Sequence, residues 1–156
     1  MRSVTIFFLV TLLIVGLEAD AQSRRSKRDR KANLILSTVK SHIGTPYKYG
    51  GISRSGIDCS GLIYLSYNQA GIKVPRTAKD QSKHGKNVNW NRIEPGDLVF
   101  FKFKQKGEKW WHSGVITIVE NNRIRFVHAS SSRGVVESDL LNDYYRKNVK
   151  GFRRVL

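Results

Sequence analysis

A chain of 156 residues has room for one domain of ordinary size, and an apolar content of 40% is enough to form a packed core. This composition excludes a chain that is disordered along most of its length. The 28 Lys and Arg outweigh the 12 Asp and Glu, which gives a net charge of +16 that attracts polyanions.

Residues 1–21 have the three parts of a secretory signal peptide. Arg2 precedes an apolar run from Val4 to Val15, and Ala19-Asp20-Ala21 fits the small-x-small pattern of a cleavage site. The run is shorter than the roughly 20 residues of a comfortable membrane span. We therefore predict a cleaved signal and an exported protein, either periplasmic or secreted to a cell wall. No cysteine directly follows the run, so we expect no lipoprotein.

An uncleaved membrane anchor is the alternative for this segment. Six Lys and Arg residues lie between Arg24 and Lys31, and positive charge normally stays on the cytoplasmic side of a membrane. We expect the basic residues to hold an exported protein near an anionic cell wall or membrane surface, and not on nucleic acid. The other explanation of the charge is solubility alone.

Two helices are predicted before any strand of the sheet. The basic segment 22–32 is expected to be a flexible linker that leads into a domain over residues 33–156. The first helix of that domain covers Asn33–Gly44, since its apolar residues recur near one face. The second runs from about Cys59 to Ala70, because Asp58 can cap its start.

The second half of the chain is mainly typical of strands. The predicted elements are, in order, a short helix over 78–85, a strand over 98–103, a hairpin over 112–130, a short helix over 139–147 and a strand over 150–156. Helices that come first and strands that come later favour an α+β fold with an antiparallel sheet.

Cys59 is the only cysteine of the chain, and its position favours a chemical role. A single exported cysteine has no partner for a structural disulfide. Cys59 falls in the first turn of a predicted helix, where unpaired N–H groups and the helix dipole favour a thiolate. The same N–H groups can stabilise an oxyanion, and the small residues Ser60 and Gly61 leave room for a substrate. A buried hydrophobic residue is the alternative interpretation.

A nucleophilic thiol needs a base and a group that orients the base, and two histidines are candidates. His112 and His128 lie on the two strands of the predicted hairpin. A two-residue loop that pairs Glu120 with Arg123 would place them on opposite faces. A three-residue loop or a bulge would make them diagonal neighbours on one face, about 7–8 Å apart. A catalytic pair therefore requires an odd loop or a bulge.

Two other interpretations of the histidines stay open at this point. Both side chains could be exposed polar residues of a strand. A zinc site would need more ligands than Cys59, His112 and His128 provide, and no metal-binding motif is present. We therefore expect no metal and no other cofactor.

Five segments in chain order resemble the NlpC/P60 family of bacterial cell-wall cysteine peptidases. They are "GTPYKYGGISRSGIDCSGLIYLSY", "VPRTAKDQ", "EPGDLVFF", "HSGVITIV" and "FVHASSSRGVVES". The resemblance covers about residues 33–156 and implies a papain-like fold, with N-terminal helices and the cysteine-bearing helix packed on a central antiparallel sheet. We expect a monomer.

The resemblance also implies a role for single residues. Cys59 would be the nucleophile, His112 the general base and acid, and His128 the residue that orients His112.

The substrate-binding positions of the family are matched by Tyr47, Asp58 and Ser60, although Asp58 can simply cap its helix. Arg76 matches a family arginine that is either structural or faces the substrate.

The function implied by the resemblance is that of a cell-wall hydrolase. Such a cysteine endopeptidase cleaves amide bonds in murein stem peptides or cross-links, for example between D-γ-glutamate and a diamino acid. The alternatives are an exported toxin with the same chemistry and a non-catalytic murein-binding module. A lipid acyltransferase of the related permuted group would have its histidine before its cysteine, whereas Cys59 precedes His112.

Overall fold

The computed structural model describes residues 2–105 and 108–156, in which helices come mainly before strands. The helices are α1 (Arg2–Ser41), α2 (Cys59–Gln69), α3 (Ala78–Gln81) and α4 (Asp143–Arg146), with a 3-10 turn at Trp90–Arg92. The strands are β1 (Ile52–Ser53), β2 (Gly56–Ile57), β3 (Lys86–Val88), β4 (Leu98–Gln105), β5 (Glu108–Glu120), β6 (Arg123–Ser130), β7 (Gly134–Asp139) and β8 (Val149–Arg154). The predicted α+β class is confirmed.

Six strands form one antiparallel sheet in the order β3-β8-β4-β5-β6-β7. Strands β5 and β6, which carry the two candidate histidines, therefore each have a neighbour on both sides. A separate hairpin of β1 and β2 leads directly into α2, and Tyr47 forms a backbone bridge with Ile57 of β2. The hairpin thus holds the segment before Cys59 in place.

The two sides of the sheet bury different apolar clusters, because successive residues of a strand face opposite sides. On the helix side, α1 and α2 pack against the sheet, and Leu62 of α2 joins Phe100 and Val115. The other side, here called the aromatic side, buries a cluster around Phe101 and Phe126. Each such side chain contributes about 1.5–3 kcal/mol when fully buried. The packing on the helix side fixes α2 and hence Cys59 against the sheet.

The first helix differs from the prediction. Residues 22–32, expected to be a flexible linker, and residues from Asn33 onward belong to the same helix α1. The segment is rich in Arg and Lys, which are good helix formers, and contains no Gly or Pro that would end the helix. An ion pair between Arg24 and Asp20 at 2.7 Å supports one of its turns.

The predicted secretory signal stays a prediction. The apolar side chains of its run, residues 4–15, lie outside the side chains that the structure describes. Within the described residues, no helix combines the length and the apolar character that crossing a membrane requires.

The hairpin of β5 and β6 contains the bulge that a catalytic histidine pair requires. Its turn is the two-residue one, with Glu120 opposite Arg123, but the register shifts between Ile116 and Ile118. Thr117 is therefore an extra residue on β5. Below the bulge Val115 lies opposite Val127, so that position 114 falls opposite 128. His112 and His128 are consequently diagonal neighbours on the same side of the sheet.

Gly114, two positions after His112, has no side chain because β6 approaches β5 closely at this point. A Cβ atom at Gly114 would lie 3.2 Å from the His128 Cβ, 2.9 Å from the Val127 carbonyl oxygen and 2.7 Å from a Phe126 ring carbon. Any side chain here would push β6 or the histidine away. The glycine therefore lets His128 approach β5 closely enough to reach His112.

Candidate active site

Asp58 fixes the start of the helix that carries Cys59. As N-cap it accepts a hydrogen bond from the Gly61 N–H through Oδ1 at 2.6 Å, and Oδ2 accepts one from the Gly50 N–H at 2.8 Å. Arg76 donates to both carboxylate oxygens at 2.9 Å. The pKa of Asp58 is lowered because these hydrogen bonds outweigh the desolvation of the carboxylate. Asp58 is thus a buried anion with four hydrogen bonds to Gly61, Gly50 and Arg76.

Arg76 is expected to stabilise the folded chain through this pair. Arg76→Ala should lower the free energy of unfolding by about 2 kcal/mol, because it leaves the buried Asp58 carboxylate without its counter-ion. Urea denaturation measures the change. Arg123→Ala is the matched control, because its pair with Glu120 spans 3.9 Å between largely exposed side chains. An equal, small effect of both variants would contradict a stabilising role of Arg76.

Cys59 lies at the first residue of α2, partly exposed to solvent. The Gly61 N–H bonds the Asp58 side chain and the Leu62 N–H bonds the Asp58 carbonyl oxygen, whereas the Ser60 N–H bonds the Cys59 sulfur. An oxyanion formed by attack of this thiol would lie near the N–H groups of the first turn of α2.

The resting state of the thiol differs from the expectation. Burial raises the pKa of the Cys59 thiol, whereas the helix position was expected to favour the thiolate. Hydrogen bonds from the side chain and backbone of Ser113, and from the Ser60 N–H, lower the pKa only in part. The thiol is therefore protonated at neutral pH, and it needs a base when it reacts.

Ser113 is a site residue that the sequence reasoning missed. Its side chain is 0% exposed, and its hydroxyl lies close enough to the Cys59 thiol to help lower the pKa of that thiol. It lies next to His112 on β5 but faces the helix side, near the Cys59 thiol. The sequence does not show that Ser113 lies near Cys59, because this depends on which side of the sheet α2 covers.

The two histidines are directly bonded. His112 Nε2 lies 2.8 Å from His128 Nδ1, and the ring planes meet at 88°. His128 Nε2 lies 3.0 Å from Ser138 Oγ and 3.3 Å from the Tyr145 hydroxyl. A chain of hydrogen bonds thus runs from His112 through His128 to β7 and α4.

Two sets of tautomers satisfy the bonds from His112 through His128 to Ser138, and one of them leaves a base on His112. If His112 Nε2–H donates to His128 Nδ1, then His128 carries its proton on Nε2 and donates it to Ser138 Oγ. His112 Nδ1 is then unprotonated, which is the form that a base requires. In these tautomers His128 accepts the His112 Nε2–H, and its role of orienting His112 in catalysis stays a prediction.

Burial keeps both imidazoles neutral. Desolvation lowers the pKa of His112 from its ordinary value of 6.5 to about 4. The pKa of His128 is also lowered, first by burial and then by the charges of His112 and Arg133. Both rings contact the aromatic side, where Phe101 lies 6.0 Å from His112 and Phe126 stacks on His128 at 4.7 Å between ring centres. Both imidazoles are therefore neutral at neutral pH.

One cavity of about 830 Å³ joins the three predicted catalytic residues. His112 and His128 leave their strands on the aromatic side, opposite to the side that α2 covers. Cys59 nevertheless lines the same cavity as both rings, together with Tyr47. The sulfur thus opens onto the same cavity as the two rings, and the catalytic roles of the three residues stay a prediction.

A second cavity of about 420 Å³ adjoins Cys59 and contains the predicted substrate-binding residues. Tyr47, Asp58 and Ser60 all line it, as does Arg76. Burial, followed by the charges of Cys59 and Asp58, raises the pKa of Tyr47, so its hydroxyl keeps the proton that it can donate. The hydroxyl of Ser60 donates a hydrogen bond to Asp58 and accepts one from Arg76. Asp58 and Ser60, which are predicted to bind the substrate, are therefore already bonded to each other and to Arg76 at the start of α2.

The part of the chain that the structure describes contains no group of three or more His, Cys, Asp or Glu side chains placed to hold a metal ion. The polar atoms of the site instead bond one another.

A cysteine at the start of a helix, packed on an antiparallel sheet that carries a bonded histidine pair, defines a papain-like α+β domain. The chain belongs to the NlpC/P60 family, whose model matches residues 44–154. That range includes every candidate site residue described above.

Named relatives and solved structures share this domain. The probable endopeptidase NlpC of Escherichia coli K12 is 40% identical over 118 residues, which cover 75% of this chain and 73% of that protein. Murein DD-endopeptidase MepS/Murein LD-carboxypeptidase of the same strain is 34% identical over 148 residues, covering 88% and 75%. A solved NlpC/P60 family protein from Bacillus cereus has a TM-score of 0.70 at 31% identity; the match covers 80% of this chain and 40% of that one.

Proposed function

We propose that the chain is a cell-wall hydrolase that cleaves amide bonds in murein peptides, with Cys59 as the nucleophile. The observation that supports the proposal is that Cys59 and the bonded pair His112–His128 line the same cavity. The relatives named as murein endopeptidases support the choice of substrate. The bond that joins D-γ-glutamate to a diamino acid and the cross-links between stems are the candidate targets.

The mechanism starts from a neutral thiol and a neutral imidazole. As Cys59 Sγ attacks the amide carbonyl carbon, its proton passes to His112 Nδ1. The carbonyl oxygen becomes an oxyanion, which accepts hydrogen bonds from the Cys59 and Ser60 N–H groups, and the Tyr47 hydroxyl is a further donor at the cavity wall. One such donor typically contributes about 2.7–4 kcal/mol in the transition state.

The second half of the reaction returns the enzyme to its starting state. Protonated His112 gives its proton to the leaving amine as the C–N bond breaks, and a thioester of Cys59 remains. His112 then removes a proton from water, which attacks the thioester carbonyl. Release of the carboxylic acid returns the proton to Cys59 Sγ, so neither a metal ion nor an organic cofactor takes part.

The location of the enzyme is part of the same proposal. Residues 1–21 direct export to the periplasm or the wall as a signal peptide, and the exposed cations of residues 22–32 attach the monomeric enzyme to an anionic wall or membrane surface. Deleting residues 22–32 should then reduce binding to purified wall at low salt, where such attraction is strongest. Unchanged binding would refute the electrostatic attachment.

Alkylation tests the thiol mechanism without any mutation, because Cys59 is the only cysteine. Wild-type protein is incubated with purified murein, and the products are identified by mass spectrometry. The proposal expects soluble fragments with one new amine and one new carboxylate per cut, and none after treatment with iodoacetamide. Intact murein with untreated protein would contradict the hydrolase, and equal digestion after alkylation would contradict the role of the thiol.

The pH dependence follows from the lowered pKa of His112. Catalysis needs the unprotonated base, so kcat/KM is expected to stay nearly constant down to about pH 5 and to fall as the pH passes through about 4. If the base were a histidine with the ordinary pKa of 6.5, kcat/KM would fall to half at pH 6.5. Initial rates between pH 3.5 and 8 on a soluble murein peptide measure the curve. A midpoint near 6.5 would contradict the buried, neutral base.

Stability must be followed in the same pH range. Because both histidines have a lower pKa in the folded state than in the unfolded state, their contribution to stability is complete above pH 6.5 and is lost as the pH falls toward the folded values. Circular dichroism at each pH separates this loss from titration of the base.

A further inference from the structure

Three aromatic rings form a shelf at one end of the catalytic cavity. Phe103 of β4 is buried, and Trp110 of β5 and Tyr144 of α4 stack on it. The ring centres lie 5.5 Å and 5.1 Å from Phe103, with interplanar angles of 24° and 23°. The three rings come from three separate elements and two of them stack on the one buried ring, and we call this fixed aromatic cluster the aromatic shelf.

The shelf presents its outer rings to solvent. Trp110 is 39% exposed and Tyr144 is 53% exposed, and neither has a role in the proposed mechanism. Both rings line the catalytic cavity, and exposed aromatic side chains in a cavity are the usual apolar contacts of a bound ligand. Stacking on Phe103 removes most of their freedom, so a ligand that packs on them costs little side-chain entropy.

The shelf is continuous with the site of the chemistry. All three of its residues line the same cavity as Cys59 and His112. Its volume of about 830 Å³ is in the range of cavities that hold ligands much larger than one amide bond. A group bound on the shelf therefore belongs to the molecule that Cys59 attacks.

The polar residues around the shelf suit a hydroxyl-rich ligand. The cavity wall also contains polar side chains from β6, β7 and the loops beside them: Arg125, Ser130, Ser132, Arg133, Asp139 and Asn142. Apolar faces with a surrounding ring of hydrogen-bonding groups match a pyranose ring, which has flat C–H faces and a hydroxyl edge. Murein peptides offer no comparable flat group, because their side chains are methyl groups, carboxylates and aliphatic amines.

We propose that the aromatic shelf binds a sugar ring of the murein glycan, so that the enzyme recognises peptides still attached to their disaccharide. This inference rests on the proposed function for the identity of the substrate. It defines the substrate further, since free stem peptides released from the glycan would not occupy the shelf.

Binding to inactive protein tests the shelf separately from catalysis. Cys59→Ala protein is titrated calorimetrically with a disaccharide tetrapeptide and with the same tetrapeptide lacking the disaccharide. The disaccharide form is expected to bind about tenfold more tightly, as one well-formed aromatic contact implies. Adding Trp110→Ala or Tyr144→Ala should reduce this ratio to about twofold or less and leave the affinity for the free tetrapeptide unchanged.

Trp90→Ala is the matched control. Trp90 is 37% exposed and packs edge-on against Phe152, but it does not line the cavity, so its removal should leave the ratio unchanged. Equal affinity of the Cys59→Ala protein for both ligands, binding of neither, or an equal loss for both in the shelf variants would overturn the inference. If the ratio is found but the wild-type protein releases no fragments from purified, cross-linked murein, the proposed hydrolysis is wrong and the sugar site stands.

Discussion

Replacing Cys59 with alanine is expected to lower the rate of murein hydrolysis by at least about a thousandfold, to the level of the assay background. The chain has no second cysteine, and a water molecule in the cavity lacks both the nucleophilicity and the position of the sulfur. Cys59→Ser should be nearly as inactive, because a hydroxyl of similar shape gives up its proton far less readily. Fragment release from purified murein, followed by chromatography and mass spectrometry, measures the rates.

The same pair of variants separates the rival functions. Both should remain folded, since Cys59 is partly exposed and the helix start is held by Asp58 and Arg76. Digestion by the alanine variant at the wild-type rate would remove Cys59 from the mechanism. If the wild-type protein and the alanine variant both bind murein and neither cleaves it, the chain is a non-catalytic module of the same fold.

The start of α2 was predictable because its determinants are local. An Asp that caps a helix is recognised from neighbouring residues alone, and the structure confirms Asp58 as the N-cap of a helix that begins at Cys59. The α+β class followed equally from the order of the elements. What the neighbouring residues could not supply was Arg76, which reaches Asp58 across 18 positions of the chain.

The sequence could state which hairpin register a catalytic histidine pair requires, but it could not show that the hairpin has this register. The two-residue turn at Asn121-Asn122 was one of the two loops considered, and by itself it would have separated His112 from His128. The bulge at Thr117 restores their pairing, and nothing in a run of β-branched residues shows where a strand bulges. Gly114 is a partial signal, since a glycine inside a strand often marks a close approach.

Elements with weak local patterns were missed or misjudged. Strand β7 begins at Gly134 and is short, yet it supplies Ser138, the last partner of the histidine chain. Residues 22–32 were expected to be a flexible linker from their charge, although charge favours solvation and not a particular backbone conformation. Ser113 was overlooked because its importance depends on which side of the sheet α2 covers. Tertiary packing determines each of these features.

Replacing His112 with alanine is expected to reduce kcat/KM by about 10²–10⁴-fold, the usual contribution of a general base. His128→Ala should cost less, because the base is still present but has lost the partner that fixes its tautomer. His128→Asn is the informative variant: its amide oxygen can accept the bond from His112 Nε2, so partial recovery relative to alanine is expected. Rates on one soluble murein peptide, compared at pH 7, measure the series.

If the alanine variants at 112 and 128 were equally active and close to wild type, the bonded pair would have only a structural role. If His128→Ala were the more damaging, the base would be His128, and the thiol would have to reach past His112.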